Sequence, residues 1–393
     1  MINGNEANIR RRFQRESNPS STRSRLLVGH DGYGLQAPRQ LDFGLLFLPD
    51  RRVRALNLLW AALASACVVL SAPFTGQVIS WLRQTFPKQL APIVGGGVAI
   101  AVVVALLIAV VRIRDRRASR YGLIVAAVVI GASYSLWMAV GDRETDAVER
   151  FHLIEYGALA WLFYRAWKPA NDLSIVILPL LAGFIVGTCD EWLQWFIPNR
   201  VGEARDVALN LVAVGCGLLF VFGVDPPEAF RFGLGARSRR RIGAVAVLAA
   251  VVFASFVNAV YVGHEVSRDG LTFRSHYTES ELAALAADRL VRWKTNPPIK
   301  LIRVSREDQY MDEALWHVKR RNVAWGDRDY WASWEENRIL ETYYAPVLDT
   351  PSYVSPTGHR WPDDQRRDAE ARTAGNHGPY VSHAEPYSIL PWR

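Results

Sequence analysis

Cysteine is scarce. The chain has three in 393 residues, Cys67, Cys189 and Cys216, and each sits inside an apolar run. That number and spacing exclude a disulfide scaffold and a paired-cysteine metal motif. Each thiol is expected to pack as a small hydrophobe. Histidine is also sparse. His264, His276 and His317 are scattered along the C-terminal part and are expected to be surface or packing residues. With no compact ligand motif, no metal and no cofactor are expected. Basic residues outnumber acidic ones and give a formal net charge of +8. They flank apolar runs rather than forming the basic surface a nucleic-acid binder needs, so no nucleic-acid partner is expected. A cleavable signal peptide is missing too, because the first long apolar run follows 54 polar residues. There is no internal repeat or interrupted helix of the kind that marks many carriers.

Long hydrophobic runs are abundant. Seven segments approach the roughly 20 residues a spanning helix needs. They are Ala55–Ala72, Ala91–Val111, Tyr121–Val140, Phe151–Trp167, Leu173–Ile197, Val207–Val224 and Ile242–Val262. The fourth is the least apolar, with His152 and Glu155 in its first turn, and an interfacial placement would leave six spans. Counting Lys and Arg in alternate loops gives 22 on the side of the N-terminus against 6 on the other. The N-terminus is therefore expected in the cytoplasm. Seven spans then put the C-terminal region outside, and six would put Arg231–Arg241 on the wrong side.

The expected fold is an all-α polytopic membrane helix bundle of about seven transmembrane helices. A small, mainly helical C-terminal extracytoplasmic domain completes it. Residues 1–54 read as a flexible basic cytoplasmic tail, with a short apolar patch at 43–48. Residues 55–120 hold two transmembrane helices, 121–224 the core, and 225–262 a basic cytoplasmic loop with the seventh span. Residues 263–345 form the outer helical domain, and 346–393 an irregular tail bearing proline and aromatic residues. Within the outer domain, Thr278 and Glu281 form a capping-box signature. A helix ending near Trp325 and a partner carrying Tyr330, Trp334, Ile339 and Tyr343 suggest a helical hairpin that resembles one tetratricopeptide-like unit. Residues 299–304 read as a short strand. The tail's aromatics, Tyr353, Trp361, Tyr380, Tyr387 and Trp392, could pack on the helices or on lipid headgroups.

Polar residues concentrate between Glu149 and Gly217, at the ends of the spans. Charge there is expensive and marks function by default. His152 and Glu155 open the fourth segment. Asp190, Glu191 and Gln194 close the fifth, Arg200 lies in the following loop, and Arg205, Asp206 and Asn210 open the sixth. The loop-charge count sends all of them to the outer face. Asp190 and Gln194 share a helix face, as do Asp206 and Asn210. Gly183 and Gly187 form a GxxxG before Asp190, and Gly217 continues the Asp206–Asn210 face, so close helix packing is expected.

Three chemistries suit these residues. Arg200 and Arg205 could hold phosphate or carboxylate, Glu155, Gln194, Asp206 and Asn210 could line the same site, and His152, Asp190 and Glu191 could do acid–base work. A divalent-metal site would use His152, Glu155, Asp190 and Glu191. A purely structural network would pair Arg200 or Arg205 with Asp206 and Glu191.

The ordered pattern Glu-Arg-x-His-x-x-Glu-Tyr from Glu149, Asp-Glu-x-x-Gln-x-x-x-Pro-x-Arg from Asp190, and Arg-Asp-Val-x-x-Asn from Arg205 resembles the VanZ-like membrane protein family over residues 121–224. The resemblance implies a multi-pass protein of the bacterial plasma membrane, from a family whose founding member is tied to glycopeptide resistance. The function expected is binding or modification of an anionic lipid- or glycan-linked substrate at the outer face, with membrane lipids as neighbours. The alternative is a non-enzymatic scaffold or accessory subunit that docks an envelope assembly through residues 277–344.

Overall fold

The computed structural model describes residues 48–86, 89–139, 141–197, 200–298, 305–374, 378–385 and 389–391. The N-terminal tail through residue 47, most of the 43–48 patch, the strand expected at 299–304, Tyr387 and Trp392 lie outside them.

Seven long helices come first: α1 (Leu48–Thr85), α2 (Leu90–Arg112), α3 (Arg117–Met138), α4 (Arg143–Trp167), α5 (Ser174–Trp195), α6 (Ala204–Val224) and α7 (Ala236–Tyr261). All but α4 are long and apolar enough to cross a membrane. Their outward faces carry large apolar residues such as Leu70, Ile100, Val129, Trp137 and Val247, all exposed. A water-facing surface rarely carries that much apolar area, whereas hydrocarbon suits it.

α4 is the polar member of the bundle and also its centre, packing against α1, α2, α5 and α6. Its Tyr156, Leu159, Ala160 and Tyr164 are buried in a core shared with Ile175, Ala213 and Val214. α4 and α6 run side by side in the same direction. Glu149 meets Arg205 at one end, Gly157 meets Gly217 midway, and the Tyr164 hydroxyl donates to the Asp225 carbonyl oxygen at the other end (2.6 Å). Lys168 adds an ion pair with Asp225 there (2.6 Å).

Both ends of α6 are satisfied by neighbouring elements. At its C-terminus, Arg120 of α3 donates to the Gly223 and Val224 carbonyl oxygens (2.7 Å each). A cation there also suits the helix dipole. At its N-terminus the Glu203 and Ala204 amides are taken by Glu191 of α5 (3.1 Å) and the Tyr261 hydroxyl of α7 (2.8 Å). α1 runs past the expected Ala72 to Thr85, carrying Pro73 inside it.

The chain leaves α7 directly into a hairpin of β1 (Val262–Arg268) and β2 (Leu271–Ser275), which corrects the all-α expectation. Asp269 and Gly270, both at positive φ, make its two-residue turn. β3 (Tyr380–Val381) pairs in parallel with β2, and β4 (Leu390–Pro391) in parallel with β1, giving the order β3-β2-β1-β4. Against the sheet lie α8 (Glu279–Arg292), α9 (Arg306–Gly326), α10 (Tyr330–Tyr343) and α11 (Ala345–Leu348), followed by α12 (Asp363–Thr373). The Thr278–Glu281 capping box forms as read, and Ser305 and Asp329 cap α9 and α10. Phe273, Leu282, Tyr310, Met311 and Tyr344 build a core separate from that of the bundle. Residues 346–393 supply α12 and both outer strands. Trp361 packs edge-on against Trp325 (5.4 Å between ring centres) and Tyr380 against Trp331 (5.8 Å).

Two buried carboxylates hold this core. Glu313 accepts from the Ser275 hydroxyl (2.5 Å), the His276 ring (2.8 Å) and the Tyr344 hydroxyl (3.0 Å). Glu336 accepts from His317 (2.6 Å), Tyr380 (2.7 Å) and Ser382 (2.6 Å). Burial would raise both carboxyl groups, but the neighbouring histidines and hydroxyls outweigh it and hold both below the usual carboxylate range. His276 and His317 are thus packing residues with specific ionic partners, and neither is at the surface.

Candidate functional site

All nine residues singled out from the sequence lie at one end of the helix bundle. His152 and Glu155 are in the third and fourth turns of α4, Asp190 to Gln194 in the last turns of α5, and Arg205 to Asn210 in the first turns of α6.

The α5–α6 seam is close because its residues are small. A Cβ on Gly187 would sit 3.1 Å from the Asn210 Cβ, and one on Gly183 would collide with the Val214 side chain. The GxxxG therefore does what its spacing implied. Gly217 serves a different seam. A Cβ there would lie 2.7 Å from the Gly157 Cα and 2.8 Å from the Gly157 carbonyl oxygen, so it seats α6 on α4. In the loop before α6, a Cβ on Gly202 would run into the Glu191 carbonyl oxygen. That contact draws the loop down onto α5.

Within this frame the polar groups form a chain. Arg200 Nη2 donates to Gln194 Oε1 (2.5 Å), Gln194 Nε2 donates to Glu191 Oε1 (3.1 Å), and Glu191 Oε2 accepts the Glu203 amide. Gln194 thus relays between the guanidinium and the carboxylate. Next to this chain, the Tyr156 hydroxyl donates to Asp190 Oδ2 (3.2 Å). His152 Nδ1 and Glu155 Oε2 are 3.7 Å apart on the same face of α4.

Burial is nearly complete, with Asp190 3%, Glu191 1% and Asn210 0% exposed. Carboxylates removed from water this far require donors, and Glu191 has both oxygens engaged. Asn210 differs from Glu191 in that neither its amide nitrogen nor its amide oxygen has a partner. Asp206 Oδ1 is buried and unpartnered as well. Orphaned buried polar atoms ask for an explanation such as a ligand or an ordered water.

Arg205 donates to Glu149 (3.0 and 3.1 Å) and to the Met138 carbonyl oxygen (2.9 Å), tying α3, α4 and α6 together. It does not pair with Asp206 or Glu191, as the network reading supposed. Asp206 lies in the first turn of α6, where its charge suits the dipole, and Glu203 is the residue at the cap. Among the described residues, no group of three His, Cys, Asp or Glu is placed to hold a metal ion.

Sequence reasoning missed three contributors. Tyr156 stood inside the quoted motif as the residue after Glu155, so its place on the His152 face was available, whereas its contact with Asp190 on another helix was not. Glu149 opened the same motif. Tyr261 had no signal, because only the tertiary fold brings the end of α7 to the start of α6.

The Glu149–Arg205 pair offers a direct test of this geometry. Replacing either residue by an apolar one strands the other charge, whereas Glu149→Leu with Arg205→Met removes both. The double variant should recover part of the stability lost in the singles, with a coupling of about 0.5–3 kcal/mol. Additive losses in a thermal melt of the purified protein would show that the pair carries no mutual energy.

Comparison with curated proteins and with solved structures returns no match. Comparison with protein families matches residues 58–224 to VanZ/LLP1. The match takes in most of α1 and all of α2, which carry none of the motif residues and lie before the 121–224 core drawn from the motifs. Across these first six helices the chain is similar to the VanZ/LLP1 family, and six of its helices are long and apolar enough to cross a membrane.

Proposed function

We propose that this chain crosses the bacterial plasma membrane seven times and binds or modifies an anionic lipid- or glycan-linked substrate at the outer face. The seventh crossing is α4. It runs the length of α6 with paired residues at both ends, so if α6 spans, α4 spans beside it. Its polar residues tolerate that position because other helices surround them. Seven crossings, with the loop-charge count, put the N-terminus inside. The polar cluster and the segment from Val262 onward are then outside.

The observation that carries the substrate reading is Asn210. A fully buried amide with both polar atoms unpartnered, one turn from Asp206 and packed on Gly187 near Asp190, is a place for a polar ligand group. In this reading His152, Asp190 and Glu191 are the acid–base groups. Glu155, Gln194, Arg200, Asp206 and Asn210 bind, with Arg200 as the substrate-facing cation. Arg205, already committed to Glu149, positions the start of α6.

A second reading is favoured by the near-complete burial of Asp190 and Glu191. It makes the cluster a clamp that holds the helix ends for a scaffold, whose partner docks on residues 277–344.

Asp190→Asn, Glu191→Gln and Arg200→Gln, each checked for wild-type membrane levels and melting, separate the two. The site reading expects lost envelope function from folded protein. Three folded, fully functional variants would sink it, and loss of function only on disrupting the surface of 277–344 would favour the scaffold. A reporter fused at the C-terminus should be active outside the membrane, and activity inside would overturn the seven-span topology.

A further inference from the structure

A groove of about 990 Å³ lies between α2, α3, α4 and α6, on the side of α4 away from the Asp190 cluster. Its walls are almost wholly apolar and include Val128, Leu136 and Trp161, which are exposed on the flank of the bundle. Its floor is shallow-walled by small residues, Gly131, Gly157 and Cys216 among them. Such a volume suits a single elongated hydrophobic ligand rather than a compact polar one.

Both ends of the groove carry charge, and Arg150 sets apart the one beside the Asp190 cluster. Arg150 lines it, half-buried, with its Nε donating to the Ser135 hydroxyl at 3.2 Å. Among the described residues that neutral hydroxyl is its partner, and no carboxylate pairs with it. The neighbouring Glu149 is taken by Arg205. A guanidinium on the wall of an apolar groove, its donors largely unused, is complementary to an anion. Arg150 is at the same end of the bundle as the Asp190 cluster, one residue from the Glu149–Arg205 clasp. The opposite end is charged too, but there Arg112 and Arg165 are exposed, Arg165 stacks over Trp161 at 5.0 Å, and Asp225 adds a carboxylate that pairs with Lys168.

We propose that this groove holds the hydrocarbon chain of an anionic lipid, with the phosphate of its headgroup bound by Arg150. This deepens the proposed function and rests on it for the substrate class. The lipid anchor of the substrate lies along one face of α4 while the polar cluster works from the other.

The test uses the full chain in nanodiscs of phosphatidylcholine doped with phosphatidylglycerol that carries a photoreactive diazirine in its acyl chain. Crosslinks mapped by mass spectrometry should concentrate on groove residues such as Ala132 and Ala158. A phosphatidylcholine probe with the same chain, whose phosphate charge is offset by its choline, should label them less. Arg150→Gln should lower groove labelling by about tenfold, the loss of one charge-assisted anchor. Ala158→Trp, which fills the groove from its rim, should do the same while leaving Arg150 in place. Labelling spread evenly over the lipid faces of α1 and α7, or equal labelling by both headgroups, would overturn the proposal. So would chain-to-chain crosslinks through Ala132 and Ala158, which would make the groove a contact between copies. Labelling does not depend on envelope activity. Headgroup-selective labelling alongside functional Asp190 and Glu191 variants would therefore fail the acid–base reading and leave the groove standing, and the converse result would fail the groove alone.

Discussion

Gly217→Leu should abolish folding of the bundle, whereas Gly215→Leu, two residues away on the same helix, should be tolerated. At Gly217 even a bare Cβ would lie 2.7 Å from the Gly157 Cα, 2.8 Å from its carbonyl oxygen and 2.9 Å from the Ala160 Cβ. The obstruction is mostly backbone and cannot rotate away. α4 and α6 would have to separate, and they are fastened at both ends by the Arg205–Glu149 and Tyr164–Asp225 contacts. Overpacking a core typically costs about 1–3 kcal/mol and more where nothing yields. A leucine here also opens the Tyr156, Ala160 and Val214 core that encloses α4. Nothing lies within 4 Å of a Cβ on Gly215, so a larger apolar residue there meets only the open flank. The check is the yield of folded protein in detergent and its melting temperature. Equal behaviour of the two variants would mean that the α4–α6 seam is not as close as described.

This seam also shows how far the sequence could be read. The GxxxG of Gly183 and Gly187 was legible because both glycines sit one turn apart on the face that carries Asp190, and α5 and α6 are joined by a short loop. Gly217 was legible as a small residue at an interface, but its partner was not. Gly157 lies on α4, 60 positions away in the chain, and nothing local says which neighbour a small residue faces. The same limit governs the charges. Spacing put Asp190 with Gln194 and Asp206 with Asn210, since four residues make one helical turn. It could not tell that Arg205 would turn to Glu149, or that Tyr261 would take the Ala204 amide. The hairpin of β1 and β2 is a different kind of miss. Asp269-Gly270 between alternating residues is a turn signal, but hydropathy ended the seventh span at Val262 and helical periodicity was taken up only from Tyr277, so the strands between went unassigned.

The C-terminal core has the second large effect, and it turns on pH. Glu336 is fully buried and accepts from His317, Tyr380 and Ser382. Glu336→Ala leaves three donors without a partner, one of them an imidazole held charged by that carboxylate. Breaking a buried pair on one side costs on the order of 3–5 kcal/mol. The loss should unpin β3, which carries Tyr380 and is followed by Ser382, from α10. Glu385 behaves in the opposite way. Its Oε1 is buried with no partner. Burial lifts its carboxyl to about 7, with His317 only partly countering the rise. Between its unfolded value near 4.5 and that folded value, the folded chain holds a proton that the unfolded chain has released. Stability from this group is therefore present at low pH and declines as pH rises through the window, by up to roughly 3 kcal/mol. His317 adds to the same trend. Burial would lower it, but Glu336 outweighs that and raises it above 6.5, so its contribution is lost as pH climbs past its folded value. Glu385→Gln keeps the shape and removes the charge. It should leave stability at pH 5 nearly unchanged and raise it at pH 8, flattening the profile, while Glu336→Ala lowers stability at both. Hydrogen exchange of the α9 and α10 amides at the two pH values reads both variants in the intact chain. A Glu385→Gln profile that runs parallel to wild type would show that Glu385 is solvated, and the elevation of its carboxyl would then have no structural basis.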